Sequence, residues 1–517
     1  MIKTVSLRIL PEDISDSSAV KKAAASALKT SEESIDAVQI LRRSLDARGA
    51  CPVFQIQAAV YSKESVKPLF EPVHYQPVMA STKNVIIAGS GPAGLFAALR
   101  LIEKGIVPIV LERGKDVLER RFDLKQINRN GVCNAESNYC FGEGGAGTYS
   151  DGKLFTRSTK RGNVKKILGL LVQHGADTDI LVNAHPHIGS NRLPKIIEAI
   201  RQTILACNGQ IHFNTKVTDL ILEKQKIKGV ISHDKSFEAD AVILATGHSA
   251  RDIYYLLDRH HILLESKPFA MGVRVEHPQS LINSIQYKKH ARNSLLPAAS
   301  YSLVCQAGNT GVYSFCMCPG GMLVPAATAP DELVLNGMSN SLRNLPFANA
   351  GIVVAVGDPC FEPYACFKHF KGLKFQQEIE KSAFNAGGQT MSAPAQRLTD
   401  FLADRVSADL PKTSYIPGVK SFPIAQVLGP FISDALKNGF HQFDKKMKGF
   451  ISDEALVLAV ESRTSSPVRI PRHADTRMHP QICGLFPAGE GSGFAGGIVS
   501  SALDGETSSD AVAEYIG

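Results

Sequence analysis

The 517-residue sequence lacks any long apolar run. Its most apolar segments, such as 167–172 and 352–356, are far shorter than the ~18–20 residues that cross a bilayer. The amino terminus carries no apolar core of the kind that secretory signals need, and its alternating pattern indicates a strand. We therefore expect a cytoplasmic protein with no membrane partner.

Closely spaced metal ligands are also missing. The ten cysteines include no CxxC pair, so neither a zinc ribbon nor a thioredoxin-type redox couple is predicted. The pairs His185/His187 and His260/His261 have no companion ligands at metal-binding spacing. We predict no metal site, and we expect the cysteines to be the reduced thiols of a cytosolic protein.

Charge of one sign is only mildly in excess. The net charge of +8 is spread over the whole length and lacks the dense basic patch of a nucleic-acid binder. A hydrophobic fraction of 44% and a charged fraction of 21% are typical of a soluble globular chain, which excludes a disordered or fibrous protein. Because single cores stop growing near ~250–300 residues, the length predicts roughly two to four domains.

The order of patterns along the chain predicts these domains. Residues 1–80 contain a β-α-β-β module, and a proline-containing linker over 61–82 leads into the next domain. A β-α-β unit then begins at Asn84, and helices and short strands follow it. We predict an α/β fold in which a Rossmann-like domain, 81–265 and 479–517, is split by an inserted α+β substrate domain, 266–478.

The clearest motif is Gly89-Ser-Gly91-Pro-Ala-Gly94, which lies between a predicted strand and a predicted helix. Gly89 permits a tight turn, Gly91 lets the backbone approach a pyrophosphate, and Gly94 permits close packing of helix on strand. Glu112 follows Gly94 by 18 residues, near the ~20 expected for an acid that binds ribose. A carboxylate there favours FAD or NAD over NADP, although the adjacent Arg113 weakens that exclusion.

Two further strand-to-turn segments, Ala245-Thr246-Gly247 and Gly489-Glu490-Gly491, resemble those of the flavoproteins with two dinucleotide-binding domains. In that superfamily the first turn lies near the nucleotide loop. The acid of the second binds the ribityl or pyrophosphate region of FAD, and the helix that follows faces the pyrimidine end of the flavin. The resemblance assigns the last role to the segment that contains Gly496, Gly497 and Ile498.

Longer strings extend the match, namely Phe141–Leu154, Ala245–Asp252, Ser314–Gly321 and Glu461–Arg469. With them, nearly the whole chain resembles a family of bacterial and plastid FAD-dependent dehydrogenase-like proteins. The resemblance implies non-covalent FAD and an oxidoreductase, but no particular substrate. The residues that we expect to hold the cofactor are Gly89, Gly91, Pro92, Ala93, Gly94, Glu112, Arg113, Gly145, Gly147, Thr148, Ser150, Ala245, Thr246, Gly247, Gly489, Glu490, Gly496, Gly497 and Ile498.

Two features of disulfide reductases are absent from the sequence. No strand–GxGxxG–helix unit near the middle of the chain marks an NADPH domain, and no CxxxxC pair follows the first glycine motif. Cys133 and Cys140 lie nearby, but their spacing is typical of ordinary thiols. We therefore expect the inserted domain to recognise a small-molecule substrate directly, with NAD(P)H as a transient electron donor.

Arg463 and Cys318 are the candidates for catalysis. An arginine near the flavin N1–C2=O edge would stabilise the charge that builds on reduction, but a solvated or structural arginine fits the sequence equally well. Cys316-Met-Cys318 reads either as a redox thiol pair or nucleophile, or as a strand end entering a turn.

The function that we predict is an FAD-dependent oxidoreductase that moves a hydride between a small molecule and flavin N5. One alternative is an FAD-containing RNA-binding or RNA-modifying protein that docks RNA on Arg42, Arg43 and Arg48, although these arginines also suit a solvated sheet face. Another is an FAD-binding scaffold without turnover. The sequence predicts no oligomeric state.

Overall fold

The computed structural model describes residues 2–79, 83–156 and 162–517. The end of the predicted linker, residues 80–82, therefore lies outside the described residues. No helix in these described ranges is long and apolar enough to cross a membrane.

The amino-terminal module is a three-stranded antiparallel sheet with one helix on it. Val5, Leu7 and Ile9 alternate with exposed residues, so one face of the first strand is buried against the helix. Asp16 caps that helix by accepting a hydrogen bond from the Ser18 backbone. The strand order is β1-β3-β2. The elements are β1 (Ile2–Ile9), α1 (Ser17–Leu28), β2 (Ala37–Asp46) and β3 (Val53–Tyr61).

The module is docked on the next domain through β2. The backbone of Arg43 donates to Val182 at 2.7 Å and accepts from Ala184 at 2.8 Å. Its guanidinium pairs with Asp179 at 2.7 Å, and Arg48 pairs with Asp46 at 2.9 Å. Two of the three arginines considered for RNA binding therefore have partners within the chain.

The second domain begins with short, fully buried strands of Val, Ile and Leu, as a sheet covered on both faces requires. A three-stranded antiparallel meander, β7-β8-β9, is attached to it. The elements are β4 (Asn84–Ala88), α2 (Pro92–Glu103), β5 (Val107–Leu111), α3 (Val117–Asn130), α4 (Val164–Gln173), α5 (Leu193–Ala206), β6 (Gln210–His212), β7 (Asp219–Glu223), β8 (Lys226–Ser232), β9 (Lys235–Glu238), β10 (Ala241–Leu244) and α6 (Arg251–Arg259).

A large, mostly antiparallel sheet forms the inserted region. Its strand order is β13-β14-β16-β12-β19-β17-β18, and β15 pairs with β14. The elements are β11 (Glu265–Ser266), β12 (Phe269–Pro278), α7 (Gln279–Tyr287), β13 (Val304–Ala307), β14 (Thr310–Pro325), β15 (Leu335–Ser339), β16 (Phe347–Val356), α8 (Asp358–Phe361), α9 (Lys371–Ala386), β17 (Ala393–Arg397), α10 (Leu398–Leu402), β18 (Val419–Ser421), α11 (Ala425–Leu428), α12 (Pro430–Lys446) and β19 (Leu456–Glu461).

The carboxyl-terminal segment returns to the parallel sheet. It contains β20 (Val468–Arg469), β21 (Leu485–Pro487) and α13 (Ile498–Ile516), and β21 pairs with β10. The five-stranded sheet then has the order β21-β10-β4-β5-β6, with all its pairs parallel. α13 packs on α2, where the Ser509 hydroxyl donates to the Ala97 carbonyl at 3.0 Å. The predicted fold class, a split Rossmann-like domain behind a β-α-β-β module, is confirmed, while the exact domain limits stay predictions.

Candidate cofactor and substrate site

A cavity of about 380 Å³ lies at the carboxyl ends of β4, β5 and β10. In open parallel sheets this edge is the usual place for a ligand. The cavity continues to the inserted sheet, where Phe315, Cys316, Asn336 and Glu461 line it. The space is therefore bounded by the nucleotide-type domain on one side and by the insertion on the other.

Most of the residues predicted for the cofactor line this cavity. Those that do are Gly89, Gly91, Pro92, Ala93, Glu112, Arg113, Gly145, Gly147, Ser150, Ala245, Thr246, Gly247, Gly489, Glu490, Gly496, Gly497 and Ile498. Gly94, Thr148 and Cys318 are not among the lining residues. Thr148 is buried and its hydroxyl donates to the Glu143 carbonyl at 2.8 Å, so it supports the glycine-rich loop from behind.

Gly89 and Gly94 are required by the close approach of backbone segments. Gly89 has φ +103°, and a side chain there would meet the Ala245 carbonyl oxygen at 2.5 Å. A side chain at Gly94 would meet the Gly89 carbonyl oxygen at 1.9 Å. Gly94 therefore acts through helix–strand packing, as its place in the motif predicts, and not by lining the cavity.

Two helices begin at the cavity wall without a capping side chain among the described residues. The N-cap of α2 is Gly91 and that of α13 is Gly497, and both glycines line the cavity. The first amides of a helix lack intrahelical partners and carry partial positive charge. This wall suits an anionic group such as a pyrophosphate.

Glu112 is buried and makes four hydrogen bonds to the chain itself. One of its oxygens accepts from the backbone and hydroxyl of Ser90, at 2.9 and 2.8 Å. The other accepts from the backbone of Gly114 at 2.9 Å and of Gly142 at 3.0 Å. A carboxylate offers about four acceptor positions, and these four bonds use that number. Glu112 thus joins the two glycine loops, and its contact with ribose stays a prediction.

The neighbouring Arg113 is also held by the chain. It pairs with Glu136 at 2.7 Å and with Asp252 at 2.9 Å, and its guanidinium lies 4.0 Å from the centre of the Phe141 ring. On the opposite wall, Glu490 lies 3.3 Å from the imidazole of His248.

The closing segment is braced by Asp504, which the sequence did not single out. Its carboxylate accepts from the Gly489 backbone at 2.7 Å and pairs with Arg472 at 2.6 Å and with Arg477. Burial acts to raise the pKa of Asp504, but the hydrogen bonds and charges of the two arginines outweigh it and lower the pKa. Asp504 thereby fixes the turn that carries Glu490.

Arg463 lines the cavity but donates to the protein with all three guanidinium nitrogens. It contacts Glu332 at 3.1 Å and Glu380 at 3.1 Å, and Arg251 pairs with the same two carboxylates. Its remaining nitrogen donates to Thr328 at 2.9 Å and Ser249 at 3.2 Å. This arrangement favours a structural arginine that holds the wall, and its predicted charge effect on a flavin stays a prediction.

The two carboxylates of that cluster differ in their pKa. Burial and the charge of Glu380 raise the pKa of Glu332 against the effect of Arg251 and Arg463. Burial acts to raise the pKa of Glu380, but Arg251 and Arg463 outweigh burial and lower it to about 2. Glu380 on α9 therefore compensates the charges of Arg251 on α6 and of Arg463, which follows β19.

Lys153 joins the cavity to the insertion. Its ammonium lies 3.8 Å from the Cys316 sulfur, 3.6 Å from the Cys318 sulfur and 3.2 Å from Asp151. Asp151 in turn pairs with Arg343 at 2.5 Å. Cys316 lines the cavity and is partly exposed, whereas Cys318 is fully buried behind it. Of the two cysteines, the structure thus brings Cys316, and not the predicted Cys318, to the cavity.

Glu461 is a second cavity residue that sequence reasoning missed. It ends β19, is fully buried, and pairs with Arg274 at 2.5 Å. Burial, assisted by Cys316, raises its pKa to about 7 against the opposing effect of Arg274. In the sequence, Glu461 stands out only as the first residue of the segment Glu461–Arg469 that resembles the family. That resemblance does not indicate its pKa. A buried carboxyl that titrates near neutrality suits proton transfer.

Three family models match successive parts of the chain, and one relative aligns with nearly all of it. A model described as pyridine nucleotide-disulphide oxidoreductase matches residues 83–256. A model of the C-terminal domain of FAD-dependent proteins matches 268–464, and a domain of unknown function, DUF8436, matches 1–61. An uncharacterized protein of Clostridium beijerinckii (strain ATCC 51743 / NCIMB 8052) is 38% identical over an alignment of 510 residues that covers 95% of each chain.

Solved structures of low identity are also similar. Glycine oxidase from Geobacillus kaustophilus is 13% identical with a TM-score of 0.37, covering 84% of this chain and 95% of that one. CtdE in complex with FAD is 12% identical with a TM-score of 0.34, covering 84% and 88%.

The family models and the relative that aligns over nearly the full length lead to one assignment. FAD is the cofactor, and the glycine loops and helix starts of the cavity suit an anionic group such as its pyrophosphate. The chain belongs, together with its Clostridium beijerinckii relative, to a family of FAD-dependent flavoproteins of the oxidoreductase type.

Proposed function

We propose that the protein oxidises or reduces a small molecule by moving a hydride between that molecule and the flavin. The observation that carries this proposal is the single cavity that joins the cofactor loops to Cys316, Lys153 and Glu461 of the substrate side. When bound, FAD supplies an N5 atom that accepts a hydride and a ring system that carries two electrons. The chain supplies the binding, the orientation and the proton.

The cofactor end of the cavity is the wall with the two helix starts. The amides of the first turn of α2, at Gly91 and Ala93, would hold the pyrophosphate, with Gly145 and Gly147 facing them. Glu490 would contact the ribityl region, and the amides at the start of α13 would face the pyrimidine end of the flavin. These roles of the glycines, of Glu490 and of the start of α13 are the ones that the sequence motifs predict.

At the substrate end, Glu461 would exchange a proton with a hydroxyl or carbonyl oxygen of the substrate. Its pKa of about 7 leaves both protonation states populated near neutral pH, which is the condition for efficient acid–base transfer. Lys153 would orient the same oxygen by donating a hydrogen bond. Arg463 would act as a positioning residue that keeps this wall closed.

A nicotinamide dinucleotide would reach the flavin only transiently. The middle of the sequence contains no strand–GxGxxG–helix unit that would hold it permanently. NADH or NADPH would therefore dock against the insertion, reduce the flavin and leave before the oxidising substrate enters.

Rapid anaerobic mixing of the purified protein with NADH or NADPH tests this proposal. We expect loss of the long-wavelength flavin absorbance, followed by its return when a carbonyl or enoate compound that suits the cavity is added. Glu461→Gln should retain bound FAD and slow the return, while replacement of the exposed carboxylate in Glu454→Gln should change neither step. Flavin that no donor reduces and no compound reoxidises would contradict the proposal and favour a scaffold.

A further inference from the structure

The strand β14 is irregular where its two cysteines lie. Phe315 pairs with Gly351 and Cys318 with Asn349, so β14 advances by one residue more than β16 between these pairs. Cys316, within this bulge, has φ +45°, a value that few residues other than glycine adopt. Bulges commonly re-aim side chains next to functional sites. Here the irregularity lies where Cys316 lines the cavity.

Both sulfurs contact the same ammonium group. Lys153 lies 3.8 Å from the sulfur of Cys316 and 3.6 Å from that of Cys318. The Cys318 thiol also lies 3.3 Å from the carbonyl oxygen of Cys316. Arg274 donates to the same carbonyl at 3.1 Å, so cationic groups surround the pair. A thiolate is stabilised by such surroundings.

The two thiols differ in access and in proton affinity. Cys316 is open to the cavity and Cys318 is not. A hydrogen bond between the two thiol side chains, together with Lys153 and Arg274, lowers the pKa of Cys316 against the effect of burial. The same hydrogen bond and burial raise the pKa of Cys318. The accessible sulfur therefore has the properties of a nucleophile, and the buried sulfur favours its protonated form.

We propose that Cys316 and Cys318 form a redox-active dithiol that reduces a low-molecular-weight disulfide inside the cavity. The Cys316 thiolate attacks one sulfur of the disulfide, which forms a mixed disulfide and expels a thiolate that takes a proton from solvent. Cys318 then loses its proton to solvent and attacks the Cys316 sulfur, so that the second substrate thiol leaves. Two electrons pass from the protein dithiol to the substrate disulfide, and a Cys316–Cys318 disulfide results.

This chemistry does not depend on the hydride transfer proposed above. The reductant is the dithiol that the chain itself carries, and the oxidant is the substrate disulfide. The pair also lies on the inserted sheet and not beside the glycine motif, where the sequence shows no CxxxxC pair.

Oxidised glutathione is the probe for the test. The purified full-length protein with its FAD would be incubated anaerobically with it, quenched with an alkylating agent and mapped by mass spectrometry. We expect the peptide that contains both cysteines to lose two hydrogens and to escape alkylation, with two glutathione thiols released. Cys318→Ser should instead trap glutathione on Cys316, and Cys316→Ser should trap none on Cys318.

Variants of the neighbouring groups complete the test. Lys153→Met should slow trapping on Cys316 in the Cys318→Ser background by roughly tenfold, the effect of one pKa unit, and Lys153→Arg should restore most of the rate. Replacement of the exposed thiol in Cys366→Ser should leave the oxidation unchanged. Alkylation of both cysteines in the wild type, or oxidation of Cys366 at the same rate as Cys316, would overturn the proposal.

Discussion

At the scale of single residues, the charges around a buried carboxyl determine which way its pKa shifts. Glu461 and Glu380 are both buried carboxylates beside arginines, yet the pKa of Glu461 is raised to about 7 and that of Glu380 is lowered to about 2. Glu380 faces two guanidinium groups, whereas Glu461 faces only one and lies near the Cys316 thiol. Between Glu380 and Glu461, the second guanidinium group accounts for the lower pKa of Glu380.

The first prediction concerns the pH dependence of turnover. Because the pKa of Glu461 is about 7, substrate oxidation should accelerate as the pH rises through 7, and substrate reduction should accelerate as the pH falls through it. Glu461→Gln should remove this dependence and lower the rate by roughly 10²–10⁴-fold. Steady-state rates from pH 5 to 9 provide the measurement. A pH profile shared by wild type and variant would contradict the proton-transfer role.

The second prediction concerns stability. His277 is fully buried and donates through Nε2 to the Phe450 carbonyl at 2.8 Å, while Nδ1 has no partner among the described residues. Burial lowers its pKa from 6.5 to about 4. As the pH falls below 6.5, His277 binds a proton in the unfolded chain but not in the folded one. The unfolding free energy therefore decreases until the pH reaches about 4, where the folded chain binds the proton as well. The total is on the order of 3 kcal/mol.

Urea unfolding at pH 7 and at pH 5 checks this loss. The unfolding free energy of the wild type should fall by about 2 kcal/mol more between these pH values than that of His277→Gln. The exposed His74→Gln is the matched control and should behave as the wild type. Equal pH dependence in the wild type and His277→Gln would show that His277 is not held neutral.

At the scale of elements, the carboxyl-terminal segment is also held by contacts of Asp504, which lie outside the pairing of β21 with β10. Asp504 on α13 holds the Gly489 backbone and two arginines. Asp504→Asn should leave both arginines without their carboxylate and lower the unfolding free energy by about 3 kcal/mol. FAD affinity should fall as well, because the Gly489–Glu490 turn loosens. Fluorescence titration of cofactor-stripped protein measures it, with the more exposed Asp510→Asn as control.

The contact of α2 with its neighbouring strands gives a further prediction. In Gly94→Ala the new methyl group would meet the Gly89 carbonyl oxygen at 1.9 Å, so the helix must move away from the loop that it supports. We expect FAD binding at least about tenfold weaker by the same titration. Gly311→Ala, where nothing lies within 4 Å, should bind FAD normally. Unchanged affinity in Gly94→Ala would refute this role of the close packing.

The sequence predicts the glycine motif well, and it predicts the residues that support the site poorly. The strand–glycine–helix unit at Gly89 is a local pattern, so its position and most of its cavity contacts could be read directly. Asp504 and Lys153 could not be identified, because the contacts that give them their roles are made with other elements of the fold. The separation of 163 residues between Lys153 and Cys316 is closed only by the pairing of the inserted sheet. The same reason explains why Cys318 was preferred over Cys316, since their spacing does not tell which one faces the cavity.

At the scale of the whole molecule, the chain leaves the parallel sheet after β10 and returns to it at β21. Between these strands it builds the sheet that supplies Cys316 and Glu461. The glycine motifs and the long gap between them predict this split architecture. The composition of the cavity wall could not be predicted, because it depends on how the two sheets face each other.

The most direct test of the shared cavity is an anaerobic experiment on the FAD-loaded protein. One FAD per chain should be present, a nicotinamide donor should reduce it, and a carbonyl or enoate compound should reoxidise it. Glu461→Gln should keep its FAD and lose most of the reoxidation rate. A protein that neither contains nor takes up FAD, or an FAD-loaded protein in which Glu461→Gln reoxidises as fast as the wild type, would contradict a cavity shared by cofactor and substrate.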